Sequence, residues 1–276
     1  MSAIDYEAEY NNRRRVPENP EIVSRWLEAS ARARSTLNCD LDVPYGSGER
    51  HRYDLFQPIE ATPDAPVVVY IHGGYWQRGD SKDYSFVADA LVRRGAAVAI
   101  PSYTLCPQAT VADIVEEMRE FLTVLWGRTN RRAVVVGHSA GGHLAAAMLA
   151  TDWSGWGGVP GDLVRAAYSI SGVFELEPLI PTSLNEALRL SVGAAQEVSP
   201  LFWQPPRPGS TLVAAVGGAE SSEFLRQSGD IATAWSKAGV SAERVVVPGA
   251  NHFTVVDEIA RPGSAMVERI LQLARG

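Results

Sequence analysis

Apolar residues in this chain cluster into short unbroken runs, and longer stretches of helical period separate them. Pro66-Val67-Val68-Val69-Tyr70-Ile71 has no polar interruption, the pattern of a strand covered on both faces. Ala133-Val134-Val135-Val136 reads the same way, and further strands are expected at 96–101, Val164–Ile170, Thr211–Val216 and Arg244–Val247. Between them the spacing predicts helices over about 82–93 (ending at Gly95), 110–126, 222–238 and 263–274. Such alternation implies an α/β fold with a mainly parallel central sheet and helices on both faces. Arg52–Phe56 is expected as an early antiparallel edge strand.

Two segments depart from this rhythm. Residues 1–40 are polar and charged, with Pro17 and Pro20 ahead of a helical pattern from Glu21 to Arg34. Ile22, Trp26 and Leu27 would form its apolar face. Residues 173–208 carry six prolines between Pro178 and Pro208 and read as a small cap-like insertion over a site rather than a second domain. The expected division is an N-terminal helical arm, 1–40, and one domain, 41–276, bearing that insertion.

Composition narrows the class. A chain of 276 residues, 46% hydrophobic and 21% charged, can bury a full core as one domain. The balance of 25 basic and 32 acidic residues, 25 − 32 = −7, argues against nonspecific nucleic-acid binding. Arg13-Arg14-Arg15 is read as a solvated face. Cys39 and Cys106 lack paired-ligand spacing, so neither a structural disulfide nor a zinc site is expected. The polar, acidic start resembles no leader, and no run is long enough to span a bilayer, which makes the cytoplasm the expected location.

Gly137-His138-Ser139-Ala140-Gly141 lies between the apolar run 133–136 and a helix-like stretch, Gly142 to Leu149. G-x-S-x-G at a strand–helix junction is the context of a nucleophile elbow, which pushes the serine hydroxyl out where a carbonyl can reach it. Attack by Ser139 needs a base, a group that orients the base, and donors for the oxyanion. In an open parallel sheet such groups gather at the carboxyl ends of strands. Of the five histidines, His51 lies in the edge region, His72 and His138 belong to glycine-bearing turns, and His143 sits one helical turn beyond Ser139. His252 follows the last expected strand and comes last in the order nucleophile, acid, histidine, which makes it the candidate base. Glu220 is the first carboxylate after the strand 211–216 and the candidate acid, with Glu223 as the second choice. His72-Gly73-Gly74-Tyr75-Trp76 resembles a loop that offers backbone N–H groups to an oxyanion, with Gly73, Gly74 and Ala140 as the donors. Tyr75 and Trp76 either wall off larger acyl groups or pack in the core.

These motifs together resemble the serine-hydrolase type of kynurenine formamidase (arylformamidase), a group of the α/β-hydrolase superfamily. The resemblance rests on His72–Trp76, Gly137–Leu144, Gly172-Val173-Phe174-Glu175-Leu176-Glu177-Pro178-Leu179, Thr182-Ser183-Leu184-Asn185 with Ser199-Pro200, and Ser222-Glu223-Phe224, and it extends from about residue 65 to 256. It implies an α/β-hydrolase fold, a Ser139–Glu220–His252 triad, and no metal or other cofactor. The family position matching Glu220 is usually aspartate, so this chain departs there by one methylene. By family analogy and position, Asn185, Arg13 and the proline-rich insertion would line the pocket. The implied reaction is release of a small acyl group, formyl foremost, from an aryl formamide such as N-formylkynurenine. A short-acyl carboxylesterase with the same triad is the alternative, and a non-catalytic binding protein on a hydrolase scaffold the remote one. The expected partner is a small formamide or ester, with neither nucleic acid nor membrane, and a homodimer is allowed. A histidine base implies activity that falls as the imidazole protonates in acid.

Overall fold

In a computed structural model of the chain, which describes residues 4–60 and 64–276, eight strands form one sheet. They are β1 (Cys39–Pro44), β2 (Arg52–Phe56), β3 (Val67–Ile71), β4 (Ala97–Pro101), β5 (Ala133–His138), β6 (Val164–Ile170), β7 (Thr211–Gly217) and β8 (Ser241–Val247). Their order is β1-β2-β4-β3-β5-β6-β7-β8; β1 and β2 run antiparallel, and the pairings from β4 through β8 are parallel. After β3 the chain steps to one side, to β4, and then crosses to the other side, to β5. Between β3 and β5 the strand order therefore reverses, and a crevice opens at their carboxyl ends.

The apolar runs split between two layers because successive side chains point to opposite faces. Val67, Val69, Ile71, Val135 and Ala99 face the helices Val111–Thr129, Ala140–Ala150 and Ser222–Lys237. Val68, Tyr70, Val134, Val136, Val98 and Ile100 face Ala88–Val92, Ala265–Arg275 and the long helix Asn19–Thr36. Thr110 starts the helix Val111–Thr129 with a reciprocal capping box to Asp113, and Asn130 ends it in the left-handed conformation.

Several expectations require correction. The segment 82–93 is not one helix: 3-10 turns at Ser81–Asp83 and Ser85–Val87 precede a short helix, Ala88–Val92. Hydroxyls from elsewhere compete for the backbone there. Ser102 Oγ accepts from Ser81 N at 2.9 Å, and Ser30 Oγ accepts from Phe86 N at 3.2 Å while donating to Asp83 O at 2.9 Å. Secondly, β2 is antiparallel but not the edge, since β1 lies outside it. β1 has no apolar run to announce it; its ladder shifts register between Asp40 and Val43, and the buried carboxylate of Asp54 accepts from Asp42 N at 2.9 Å. Lastly, Ile22 and Trp26 are buried, but Leu27 is 44% exposed. Strand β8 also begins earlier than its apolar residues suggest, because its first half is an exposed edge.

At the junction of β5 with the helix Ala140–Ala150, the backbone leaves no room for side chains. A Cβ on Gly137 would stand 2.0 Å from Gly141 O, and one on Gly141 would stand 1.9 Å from Ile71 O. Gly141→Ala therefore has to push strand and helix apart. Overpacking of this kind costs about 3 kcal/mol or more, which denaturant titration of the variant should register; an unchanged midpoint would contradict the packing described.

Candidate active site

Ser139 occupies the turn between β5 and the helix that follows, with φ 57° and ψ −116°. For a residue with a Cβ this conformation costs of order 1–3 kcal/mol, and such strain persists only where the surroundings over-determine it. Here Ser139 N donates to Ile170 O at 2.8 Å, and Ser139 O accepts from His143 N at 3.0 Å. Ala140 is the first helical residue, so its N–H has no partner within the helix.

The loop after β3 presses against this turn. A Cβ on Gly73 would be 2.8 Å from His138 O and 3.1 Å from Ser139 Cβ, so only a glycine lets the main chain come this near. Gly74 follows with φ 113°, then Tyr75 and Trp76 in the left-handed region at 51° and 56°. His72 is sandwiched between Tyr103 and Tyr84, with ring centroids 4.3 and 5.6 Å away, and its carbonyl accepts from Tyr103 OH at 3.0 Å. Gly73 thus lies against Ser139, and Gly74 lines the same cavity as the serine.

Across the crevice, His252 Nδ1 is 2.7 Å from Glu220 Oε2. The other carboxylate oxygen, Oε1, accepts from Ser171 Oγ at 2.5 Å and from Gly217 N at 2.7 Å. Glu220 is 8% exposed, His252 5% and Ser171 fully buried. Glu223 is engaged elsewhere: it accepts from Tyr10 OH at 2.9 Å and pairs with Arg226. The backbone of His252 is held too, since His138 Nε2 donates to His252 O at 2.8 Å. With Nδ1 taken by the carboxylate, Nε2 has no hydrogen-bond partner among the described residues. Among the described residues no hydrogen bond joins Ser139 Oγ to that ring, but both residues line one cavity of about 690 Å³.

Three of the expected pocket residues separate. Tyr75 lines the cavity, and its hydroxyl donates to Tyr10 O at 2.6 Å. Trp76 does not: it is wholly buried in the core, edge-on to His143 at 5.0 Å. Asn185 is turned into its own loop, donating to Ile180 O and Leu190 O and accepting from Leu190 N, so the wall there is built by Ser183, Leu184, Glu186 and Ala187. The arginine cluster also divides. Arg13 lines the cavity with Tyr10, Asn11 and Asn12, whereas Arg14 and Arg15 face outward. Ser171 and His138 were not singled out from the sequence. Their signal was position alone, each at or just past the carboxyl end of a strand.

Sheet, elbow and apposed glycine loop together define an α/β-hydrolase. Relatives carry the assignment further: the kynurenine formamidase of Danio rerio is 30% identical over 91% of this chain and 87% of its own length, and that of Salmo salar 31% identical over the same shares. The chain belongs to the kynurenine formamidase family and is a hydrolase acting on formamide or ester bonds. A family model described as BD-FAE matches residues 53–154. A solved structure from Silicibacter sp., described as a putative thioesterase, is 33% identical with a TM-score of 0.88, covering 98% of this chain and 100% of that one. An esterase of Pyrobaculum calidifontis, at 18% identity and TM-score 0.67 over 93% of this chain and 94% of its own, shares the fold. No helix among the described residues is long and apolar enough to cross a membrane.

Burial leaves a pH signature. It pushes His72 and His143 down to about 4 from 6.5, and His138, which also faces His252, well below its ordinary value. The unfolded chain takes up these protons near pH 6.5, but the folded chain does so only near 4. Acidification across that window therefore favours unfolding, by roughly 3 kcal/mol for each of His72 and His143 by pH 4. Denaturant midpoints measured from pH 7 to 4.5 should fall steeply, and His143→Gln should flatten the slope. A profile that is level over this range would show that these rings are not held neutral.

Proposed function

We propose that this chain removes the formyl group from an aryl formamide of the N-formylkynurenine type through an acyl-enzyme on Ser139. The observation that carries the reading is the buried His252–Glu220 pair, 2.7 Å apart, opening with Ser139 onto one cavity. His252 Nε2 takes the hydroxyl proton as Ser139 Oγ attacks the formyl carbon. The oxygen that gains the negative charge accepts N–H bonds from Gly73, Gly74 and Ala140, each worth about 3 kcal/mol to the transition state. Collapse of the adduct breaks the C–N bond, and the imidazolium gives its proton to the departing aryl amine. Water, deprotonated by the same ring, then attacks the formyl ester, releasing formate and restoring the serine.

Glutamate serves in place of aspartate because Ser171 Oγ and Gly217 N hold Oε1, which fixes Oε2 on the imidazole despite the extra methylene. The resulting anion keeps Nδ1–H pointed away from the serine and stabilises the imidazolium when it forms. A formyl carbon bears only hydrogen, which suits a site where Gly73 lies against Ser139. Because Trp76 is core, any limit on acyl size on that side belongs to Tyr75. The reading keeps residues 1–40 as an arm and 173–208 as a cap on one domain, since each supplies cavity wall: Tyr10, Asn11, Asn12 and Arg13 from the first, Ser183, Leu184, Glu186 and Ala187 from the second.

Ser139→Ala is expected to lower kcat by about ten-thousandfold or more, and Glu220→Gln by about a hundredfold to ten-thousandfold with little change in KM. Glu223→Gln should do far less to kcat. A fluorophosphonate should label Ser139 in the folded protein. N-formylkynurenine should be turned over with higher kcat/KM than phenyl acetate; fast ester cleavage with scant formamide cleavage would make the chain a short-acyl carboxylesterase instead.

A further inference from the structure

Two arginines line the cavity that holds Ser139. One is Arg13, from the short helix Asn12–Arg15; the other is Arg78, four residues beyond Gly74. Both are exposed and within reach of a ligand. Partial burial of its stem, and after it the charge of Arg13, hold Arg78 below its ordinary value, and no carboxylate is among the groups acting on it. Asp83 and Glu186 also line the cavity, but the charges acting on Asp83 are Asp80, Lys82 and Arg50. Two like charges on one cavity, neither in a salt bridge among the described residues, cost free energy, a cost that an anionic ligand removes. The planar fork of arginine is suited to a carboxylate.

Both groups are anchored near the reaction centre. A Cβ on Gly74 would meet Arg78 O at 2.3 Å and Arg78 Cγ at 2.8 Å, so the stem of Arg78 lies directly on the glycine loop. The short helix that carries Arg13 is held at two neighbouring residues. Asn19 Nδ2 donates to Arg13 O at 3.1 Å, and the neighbouring Asn12 Nδ2 donates to Tyr75 OH at 3.2 Å. The arm itself is tied to both walls. Glu7 accepts from Ser183 N at 2.8 Å, and Glu9 accepts from Ser222 Oγ at 2.7 Å.

We propose that Arg13 and Arg78 form an anion subsite that receives a carboxylate on the far end of the substrate, making the enzyme selective for carboxylate-bearing aryl formamides over neutral ones. This rests on the reading of Ser139 as the centre of reaction. A carboxylate held on the rim would orient the rest of the molecule so that its formyl carbon reaches the serine, and the arm would act in specificity through Arg13.

The test compares N-formylkynurenine with its carboxamide, which differs in charge but hardly in size. The ratio of their kcat/KM values should favour the acid, and Arg13→Gln or Arg78→Gln should each lower that ratio about tenfold, chiefly through KM. Arg78→Lys should restore part of it, and added salt should erode it. Independently of turnover, the Ser139→Ala protein should bind benzoate more tightly than benzamide by calorimetry, a preference that either arginine substitution reduces. An acid-to-amide ratio unchanged in both glutamine variants, or equal binding of benzoate and benzamide, overturns the subsite. Loss of formamide turnover in the unsubstituted enzyme would instead overturn the proposed reaction, while the binding measurement still reads the arginines.

Discussion

The close approach of two backbones at the end of the sheet is the constraint on which the rest depends. Helix Ala140–Ala150 starts so near β5 and the end of β3 that Gly141 has the carbonyl of Ile71 where a methyl group would be. That contact forces the turn to be tight, and the tight turn forces Ser139 into positive φ. The strain is held by neighbours on both sides, with the serine's N–H on β6 and its carbonyl on the next helical turn. The same contact brings Gly73 against the serine, so Ser139 and the glycine loop arrive as one packed unit rather than as two loops positioned separately.

Glu220 and His252 are held by a different means. Their loops follow β7 and β8, whose pairing aligns Gly217 with Val247 and brings the two carboxyl ends side by side. Gly218 N donates to Val247 O and Ala219 N to Ala250 O, which stitches the loops together before any side chain is involved. Glu220 is then turned by donors on one oxygen so that the other meets the imidazole. The position of Glu220 is fixed because buried Ser171 Oγ and Gly217 N both donate to Oε1. The carboxylate gains two donors besides the ring, which is what a buried anion requires.

A third constraint closes the cavity. Residues from the start of the chain cross to its far end: Tyr10 OH donates to Glu223 and receives from Gln227 Nε2, and Trp26 Nε1 donates to Asp257 at 2.8 Å. These long-range contacts make the arm a wall of the site. They also occupy Glu223 and so leave Glu220 alone with the histidine. The charge that the arm carries into the cavity, Arg13, is met there by Arg78 from the glycine loop.

Much of this was legible in the residues. Uninterrupted valine runs specify buried parallel strands whatever surrounds them, the glycines flanking Ser139 have no other use at a strand–helix junction, and His252 is singled out by its place after the last strand. The sequence by itself determined the α/β alternation and the strand–helix turn that carries Ser139, and it offered Glu220 and His252 as candidates for pairing. Only the tertiary structure decided what depends on distant partners. Strand β1 exists because β2 offers it a ladder; residues 81–87 turn in 3-10 steps because Ser30 and Ser102 claim their N–H groups. Trp76 went to the core and Asn185 to its own loop, although both stand beside residues that line the cavity. Local pattern records which way a backbone can run; which side of a wall a side chain faces depends on contacts dozens of residues away, and those no short window of sequence contains.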